Sequence, residues 1–279
     1  AGIAVSDNGR LTALRDLGLV TQVFDEAKLG GLHGTFAIGH TRYSTTGRNA
    51  WANAQPLLHH GKARTVALGH NGNLVNAAEL RAELGIPLSS TSDSEVIAAM
   101  IANDEDSLVD AITHAMRKID GAASVVGIAE GKLFAFRDSH GFRPLVLGYV
   151  GLDPVVASET CALDLVGARF EREISPGELV ILDENGIESA QVGGRPDPSL
   201  CIFEYFYLAR PDTRLEGVEV HGARVQMGVT LAKEAPAEAD LVLPIPDSGT
   251  PAAIGFSRES GIPFSEGLIK NRYVHRTRS

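Results

Sequence analysis

The residues most able to do chemistry begin at Gly69-His70-Asn71-Gly72-Asn73, just after the apolar run Thr65-Val66-Ala67-Leu68. An Asn side-chain amide beside a Gly backbone N–H can aim two donors at one point, the arrangement that stabilises a developing oxyanion in acyl transfer. The plainer reading is a tight turn closing a short buried strand, because Asn and Gly tolerate positive φ most readily. Arg42 follows the stretch Phe36-Ala37-Ile38-Gly39 and lies among hydroxyl residues and Tyr43. Its planar guanidinium suits a carboxylate held by two parallel bonds, although a solvated surface arginine fits the same pattern. Asp93, in Ser92-Asp93-Ser94-Glu95, sits where a helix should start. There it either complements the helix dipole or takes a ligand ammonium. Asp247-Ser248-Gly249-Thr250 follows the apolar run 239–246 and precedes a helical pattern. A strand, a small acidic loop and a helix start bind phosphate in open α/β sheets; an ordinary capped turn is the alternative.

These residues need elements to hold them. Asp7-Asn8-Gly9 within residues 1–22 predicts a two-stranded hairpin, and 25–32 predicts a short helix ended by glycine. Helices are expected over 74–84, stopped at Gly85, and over 107–119. Ser92 with Glu95, ahead of Val96, Ile97, Met100 and Ile101, has the form of a capping box opening another helix. Runs at 123–129 and 132–137 flank Glu130-Gly131 as a hairpin, and 178–182 with 186–192 flank Asn185-Gly186 as a further one. Strands near 145–150 and 155–158 lie between them. Many strands with a few short helices imply a layered α+β domain. Gly193-Gly194-Arg195-Pro196-Asp197-Pro198 reads as a linker that divides a domain over 1–194 from a second over 195–279. The second is predicted to carry an amphipathic helix over 222–235, a buried strand over 239–246 and a helix through Ser260.

Composition narrows the function classes. Of 279 residues, 44% are hydrophobic and 22% charged, which supports a sizeable core. A formal charge of −10 argues against nucleic-acid binding as the main activity. No run of about 18 apolar residues is present to span a membrane. Cys161 and Cys201 are the only cysteines and show no CxxC spacing. That argues against a disulfide framework or a zinc site made by this chain alone, and points to a reducing, cytoplasmic setting.

Taken in order, Gly39-His40-Thr41-Arg42-Tyr43, Gly69-His70-Asn71-Gly72-Asn73 and Thr91-Ser92-Asp93-Ser94-Glu95 resemble the class II glutamine amidotransferases, the N-terminal-nucleophile glutaminases. Cys201-Ile202-Phe203-Glu204-Tyr205, Ala209-Arg210-Pro211-Asp212, Pro246-Asp247-Ser248-Gly249 and Gly267-Leu268-Ile269-Lys270-Asn271-Arg272-Tyr273-Val274 narrow the resemblance to the amidophosphoribosyltransferase family. The resemblance covers nearly the whole chain. It implies a four-layer α+β glutaminase domain followed by the first part of an α/β type I phosphoribosyltransferase domain. The implied enzyme hydrolyses glutamine and transfers the ammonia to phosphoribosyl pyrophosphate, giving phosphoribosylamine at the start of purine (IMP) synthesis.

By the same resemblance, Arg42 holds the glutamine α-carboxylate, Asp93 its α-ammonium, and Asn71 with Gly72 the oxyanion. Tyr43 lies beside the glutamine site. Asp247, Ser248, Gly249 and Thr250 form the pyrophosphate loop, with Ser248 near a Mg²⁺ ion, and Lys270 and Arg272 open a flexible loop over the ribosyl substrate. Cys201 matches a [4Fe–4S] ligand of one branch, against the reading of a buried free thiol. A cytoplasmic homo-oligomer, dimer or tetramer, is expected. The nucleophile of the family is an amino-terminal Cys, whereas this sequence opens Ala1-Gly2-Ile3-Ala4-Val5. The chain is therefore expected to be an internal piece that performs neither half-reaction by itself. Two alternatives stand beside this one: another class II amidotransferase, against which Pro246-Asp247-Ser248-Gly249 argues, and a regulatory module without nucleophile that binds glutamine or nucleotides.

Overall fold

The computed structural model describes residues 1–42, 50–192 and 197–271. They form two compact units, Ala1–Ser158 with Ala168–Leu200, and Glu159–Gly167 with Cys201–Ser279. The changeover at Leu200 lies past the expected division after residue 194, and Glu159–Gly167 groups with the second unit.

The first unit opens with strands β1 (Gly2–Asp7) and β2 (Arg10–Arg15), the short helices α1 (Val20–Val23) and α2 (Glu26–Gly30), and strand β3 (Phe36–His40). Asn8 and Gly9 turn the first hairpin with φ of 47° and 81°, the geometry that matches strand twist in a two-residue loop. Strands β4 (Leu57–His60) and β5 (Thr65–Leu74) follow, then helices α3 (Ala77–Leu84), α4 (Asp93–Asn103) and α5 (Leu108–Lys118). The remaining strands are β6 (Gly121–Ala129), β7 (Lys132–Arg137), β8 (Val146–Val150), β9 (Asp153–Ala157), β10 (Arg169–Glu173), β11 (Glu178–Asp183) and β12 (Gly186–Gln191).

Six strands pair in the order β12-β11-β7-β6-β5-β4, and two three-stranded sheets run β2-β1-β3 and β10-β8-β9. Alternation along each strand sends neighbouring side chains to opposite faces. Val66, Leu68, Val125, Phe134 and Phe136 therefore pack on one face with Val96, Ile97, Ile101 and Ile112 of the helices. Ala67 and Ile128 pack on the other with Ala4 and Ile38, while Ala135, Val180 and Leu182 meet Leu145, Leu147 and Ile174. Helix α4 is buried nearly all round, from Asp93 to Ala102 except Met100. Each such aliphatic side chain removed from water stabilises the fold by roughly 1.5–3 kcal/mol.

Two local expectations need correcting. Residues 69–73 do not turn; β5 continues through them because β6 pairs with every residue from Ala67 to Leu74. The capping box at α4 is half formed. Ser92 caps, accepting from the Ser94 N–H, but the Glu95 carboxylate reaches past Ser92 to the N–H groups of Ser89 and Ser90 at 2.9 and 2.6 Å.

The second unit holds α6 (Thr160–Leu165), the paired strands β13 (Arg214–Leu215) and β14 (Val218–Glu219), and helices α7 (Val220–Glu234) and α8 (Thr250–Ser260). Helices α7 and α8 cross at Gly228 and Gly255, where a Cβ on either would overlap a carbonyl of the other helix. The buried strand expected at 239–246 is absent. Among the described residues it makes one parallel bridge, Val242 with Phe264, and Leu241, Leu243 and Ile245 are exposed. An apolar run becomes a strand only where a neighbour completes its ladder. No helix among the described residues is long and apolar enough to cross a membrane.

Candidate functional site

Strand β4 accompanies β5 only as far as Leu57 opposite Leu68, whereas β6 continues to Gly121 opposite Leu74. Beyond Leu68, β5 therefore has a strand on one edge only. Successive residues turn their backbone groups to opposite edges. Ala123, opposite Gly72, turns both its backbone groups to its far side, where its N–H donates to Asp138 Oδ2 at 2.9 Å and its carbonyl accepts from the Asp138 N–H at 2.8 Å. His70, Gly72 and Leu74 accordingly point their N–H groups to the edge that β4 has left. The His70 N–H donates to Gln55 Oε1 at 2.7 Å, and the Leu74 N–H donates to Asp93 Oδ2 at 3.0 Å. The Gly72 N–H lies between them, and the register gives it no strand partner.

Gly72 must be glycine for a packing reason. A Cβ there would overlap the Ala122 carbonyl oxygen and come within 2.5 Å of His70 Nε2. Asn71 projects from the opposite face to His70, the face on which His40 lies beside Gly69. His40 ends β3, two residues before Arg42. Burial first, then His70 and Arg42, push the His40 imidazole down to about 4, so it is neutral at pH 7.

Asp93 is buried at the first turn of α4. Its Oδ1 accepts from the Ser94 N–H at 3.0 Å and the Ser92 hydroxyl at 3.4 Å, and its Oδ2 from Leu74. A carboxylate offers about four lone-pair sites, so one remains on Oδ2 for a further donor. Arg42 is within electrostatic range. Burial lowers the pKa of its guanidinium, and the Asp93 charge opposes that shift. The structure thus brings Arg42, Asn71, Gly72 and Asp93 into one unit at the ends of β3, β5 and the start of α4; Tyr43 lies outside the described residues.

The sequence assigns no role to Gln55, His70 or Ser94, yet they join these elements. Gln55 Nε2 donates to Ser94 Oγ at 3.0 Å, and His70 Nδ1 lies 3.1 Å from the same oxygen. His70 stands inside the motif that carries Asn71 and Gly72, which is a signal of sorts; Gln55 offers none.

In the second unit, Asp247 to Gly249 lead into α8. The Gly249 N–H turns back to the Ile245 carbonyl at 3.2 Å and the Thr250 N–H to the Asp247 carbonyl at 3.3 Å. A side chain at Gly249 would stand 2.7 Å from the Ile245 carbonyl, so the loop needs its glycine. Lys270 Nζ lies 3.3 Å from Asp247 Oδ2, both largely exposed, and such a pair contributes little to stability. Arg272 lies outside the described residues. Both cysteines are free. Cys161 is buried, and its burial pushes the thiol pKa up, which disfavours the thiolate that metal binding needs. Cys201 is half-buried. Asp104, Asp106 and His114 bring ligand atoms within 4.8 Å of one another, but Asp104 Oδ2 already bonds His114 Nδ1 at 2.8 Å.

Residues 40–165 match the glutamine amidotransferase domain model. The amidophosphoribosyltransferase of Mycobacterium bovis is 49% identical over 288 residues, covering 99% of this chain and 54% of that protein. That of Synechococcus elongatus is 50% identical, covering 99% and 58%. The glutamine phosphoribosylpyrophosphate amidotransferase of B. subtilis, solved with ADP and GMP, superposes with a TM-score of 0.92 at 41% identity, over 99% of this chain and 61% of that one. Over 99% of its length this chain is similar to amidophosphoribosyltransferases. It spans about half the length of the curated relatives it matches. The mixed α/β sheets and helices described above superpose on those of the B. subtilis enzyme over 99% of this chain.

Proposed function

We propose that this chain carries the glutamine-binding face and the first substrate loop of an amidophosphoribosyltransferase. In the full protein, glutamine is hydrolysed at the first unit and the ammonia is joined to phosphoribosyl pyrophosphate at the second. The observation that supports this most directly is the edge of β5. There the Gly72 N–H stands between one N–H held by Gln55 and another held by Asp93. A glutamine whose α-ammonium takes the remaining site on Asp93, and whose α-carboxylate meets Arg42, extends its side-chain amide along that edge. Attack on the amide carbon by a thiolate from outside these residues turns its carbonyl into an oxyanion. The Gly72 N–H and Asn71 amide receive that charge in place, and donors of this kind lower the barrier by roughly 3–4 kcal/mol. His40 and His70, both held neutral, add no positive charge to compete with the ammonium for Asp93.

In the second unit, Asp247, Ser248, Gly249 and Thr250 would line the pyrophosphate, with a Mg²⁺ ion near Ser248 supplying charge neutralisation when bound. Lys270 and Arg272 would open the loop that closes over the ribose, and Cys201 would give one thiolate to a [4Fe–4S] cluster completed by residues beyond these. Two free cysteines fit a reducing, cytoplasmic compartment. A homo-oligomer belongs to the same reading.

In the full-length protein, Arg42→Ala should raise KM for glutamine by about tenfold or more, the order expected for losing a bidentate carboxylate contact. Ammonia-dependent phosphoribosylamine formation should stay near the wild-type rate. If both routes fell together, Arg42 would belong to the fold. Asp247→Ala should do the reverse, weakening phosphoribosyl pyrophosphate binding whether the nitrogen source is glutamine or ammonia. An unchanged KM for that substrate would remove Asp247 from its loop.

A further inference from the structure

The His70 side chain is 1% exposed and spans three elements. Its Nε2 lies 3.1 Å from the Ala122 carbonyl oxygen of β6, and its Nδ1 lies 3.1 Å from Ser94 Oγ on α4. A carbonyl only accepts, so Nε2 carries the hydrogen and Nδ1 must accept. The partners agree with that tautomer. Ser94 Oγ receives Gln55 Nε2–H at 3.0 Å, and its own hydrogen is there to donate to Nδ1. Gln55 is fixed in turn, because its Oε1 accepts the His70 N–H at 2.7 Å. Flipping the Gln55 amide, or moving the imidazole hydrogen to Nδ1, sets two donors or two acceptors face to face. The charged and titratable groups around the imidazole are Asp93, with Oδ2 at 4.0 Å, Asp138, Arg143 and His40.

The ring also passes against Gly72, close enough that a Cβ there would lie 2.5 Å from Nε2. We infer that His70 is a positioning residue. Its neutral Nε2–H imidazole, locked by Gln55 and Ser94, ties the Asn71–Gly72 segment of β5 to the start of the helix that carries Asp93. It thereby sets the spacing between the oxyanion donors and the carboxylate that takes the ammonium. This rests on the glutamine reading above. The spacing matters because a misplacement of about 1 Å in such a site costs on the order of 10²-fold in rate.

The test uses the full-length protein with His70→Leu, His70→Gln, Ser94→Ala and, as a control on the glutamine site itself, Arg42→Ala. Leucine fills space without bonding, whereas glutamine offers one donor and one acceptor. His70→Leu should cut kcat with glutamine and raise its KM, each by about tenfold or more. Amide-exchange protection should fall at residues 71–74 and 92–95 together while the β7 and β11 amides keep theirs. His70→Gln should recover most of both losses, and Ser94→Ala should loosen the same two segments to a smaller degree. Equal behaviour of the Leu and Gln variants would overturn the assignment. So would loosening of one segment only, or a loss of protection throughout the unit with Ser94→Ala. If Arg42→Ala leaves glutamine use intact, the glutamine reading fails, and the exchange pattern still decides whether His70 ties the two segments.

Discussion

Replacing Gly72 by alanine in the full-length protein should reduce glutamine-dependent phosphoribosylamine formation by about 10²- to 10³-fold, the loss that follows removal of one oxyanion donor. The backbone N–H is not deleted by this change, so the effect must come through geometry. The new Cβ would overlap the Ala122 carbonyl oxygen and press on His70 Nε2. Neither can retreat easily. The Ala122 carbonyl belongs to β6 and accepts from His70, and the imidazole is held from its other side by Ser94. Strand β5 must therefore shift away from β6 at the point where its N–H faces the open edge. Overpacking of this kind costs about 1–3 kcal/mol of stability. Two measurements separate displacement from unfolding: the rate with free ammonia, which should stay within about twofold, and the thermal midpoint. Wild-type turnover with glutamine would take the Gly72 N–H out of the chemistry, and equal loss with both nitrogen sources would make it a folding residue only.

What the sequence makes legible is what local chemistry decides. Asn8-Gly9 gives a hairpin, Ser92 and Ser107 cap helices, and Gly85 ends α3 in the left-handed region at φ 61°. Each depends on residues within one turn of itself. The misread features depend on partners far along the chain. Asn71-Gly72 has the composition of a turn, and it is β6, some fifty residues later, that holds it extended. The 239–246 run has the apolar content of a strand, but a ladder is a property of two segments. Glu95 stands at a helix start, as its pattern predicts, but its donors are the N–H groups of Ser89 and Ser90, which the chain folds back to it in place of that of Ser92. Gln55 is the extreme case. Nothing beside it in sequence hints that it takes the ladder position β4 would have filled opposite His70. The residues that face a ligand could be named from their motif, whereas those that hold them in place needed the register.

Glu95→Gln should destabilise the first unit by about 3 kcal/mol, because hydrogen bonds to a buried charge are each worth roughly 1.5–3 kcal/mol. The carboxylate is 3% exposed, and both its oxygens are committed to donors. Oε1 accepts from the N–H and hydroxyl of Ser89 at 2.9 and 2.8 Å, Oε2 accepts from the Ser90 N–H at 2.6 Å, and His59 Nδ1 lies 3.5 Å from Oε1. An amide of the same shape must turn its NH₂ toward one of those N–H groups, leaving two donors opposed in a buried place. For a unit of this size such a loss lowers the thermal midpoint by about 6–12 °C. The pH dependence supplies a sharper check. Burial alone would raise the Glu95 pKa, but His59 and the serine donors outweigh it and hold it far below its ordinary value of 4.5. A carboxyl whose folded pKa is depressed stabilises the fold above its unfolded pKa, and that contribution fades as pH falls toward the folded value. The wild type should therefore lose stability as pH falls below about 4.5, while the Gln variant lacks this component, so the gap between them narrows with acid. A gap that stays constant from neutral pH to about pH 3 would mean the carboxylate is not what holds the Ser89–Ser90 turn. Because that turn leads directly into Ser92 and Asp93, the same variant should also show weaker glutamine binding at neutral pH, in proportion to how far the start of α4 has loosened.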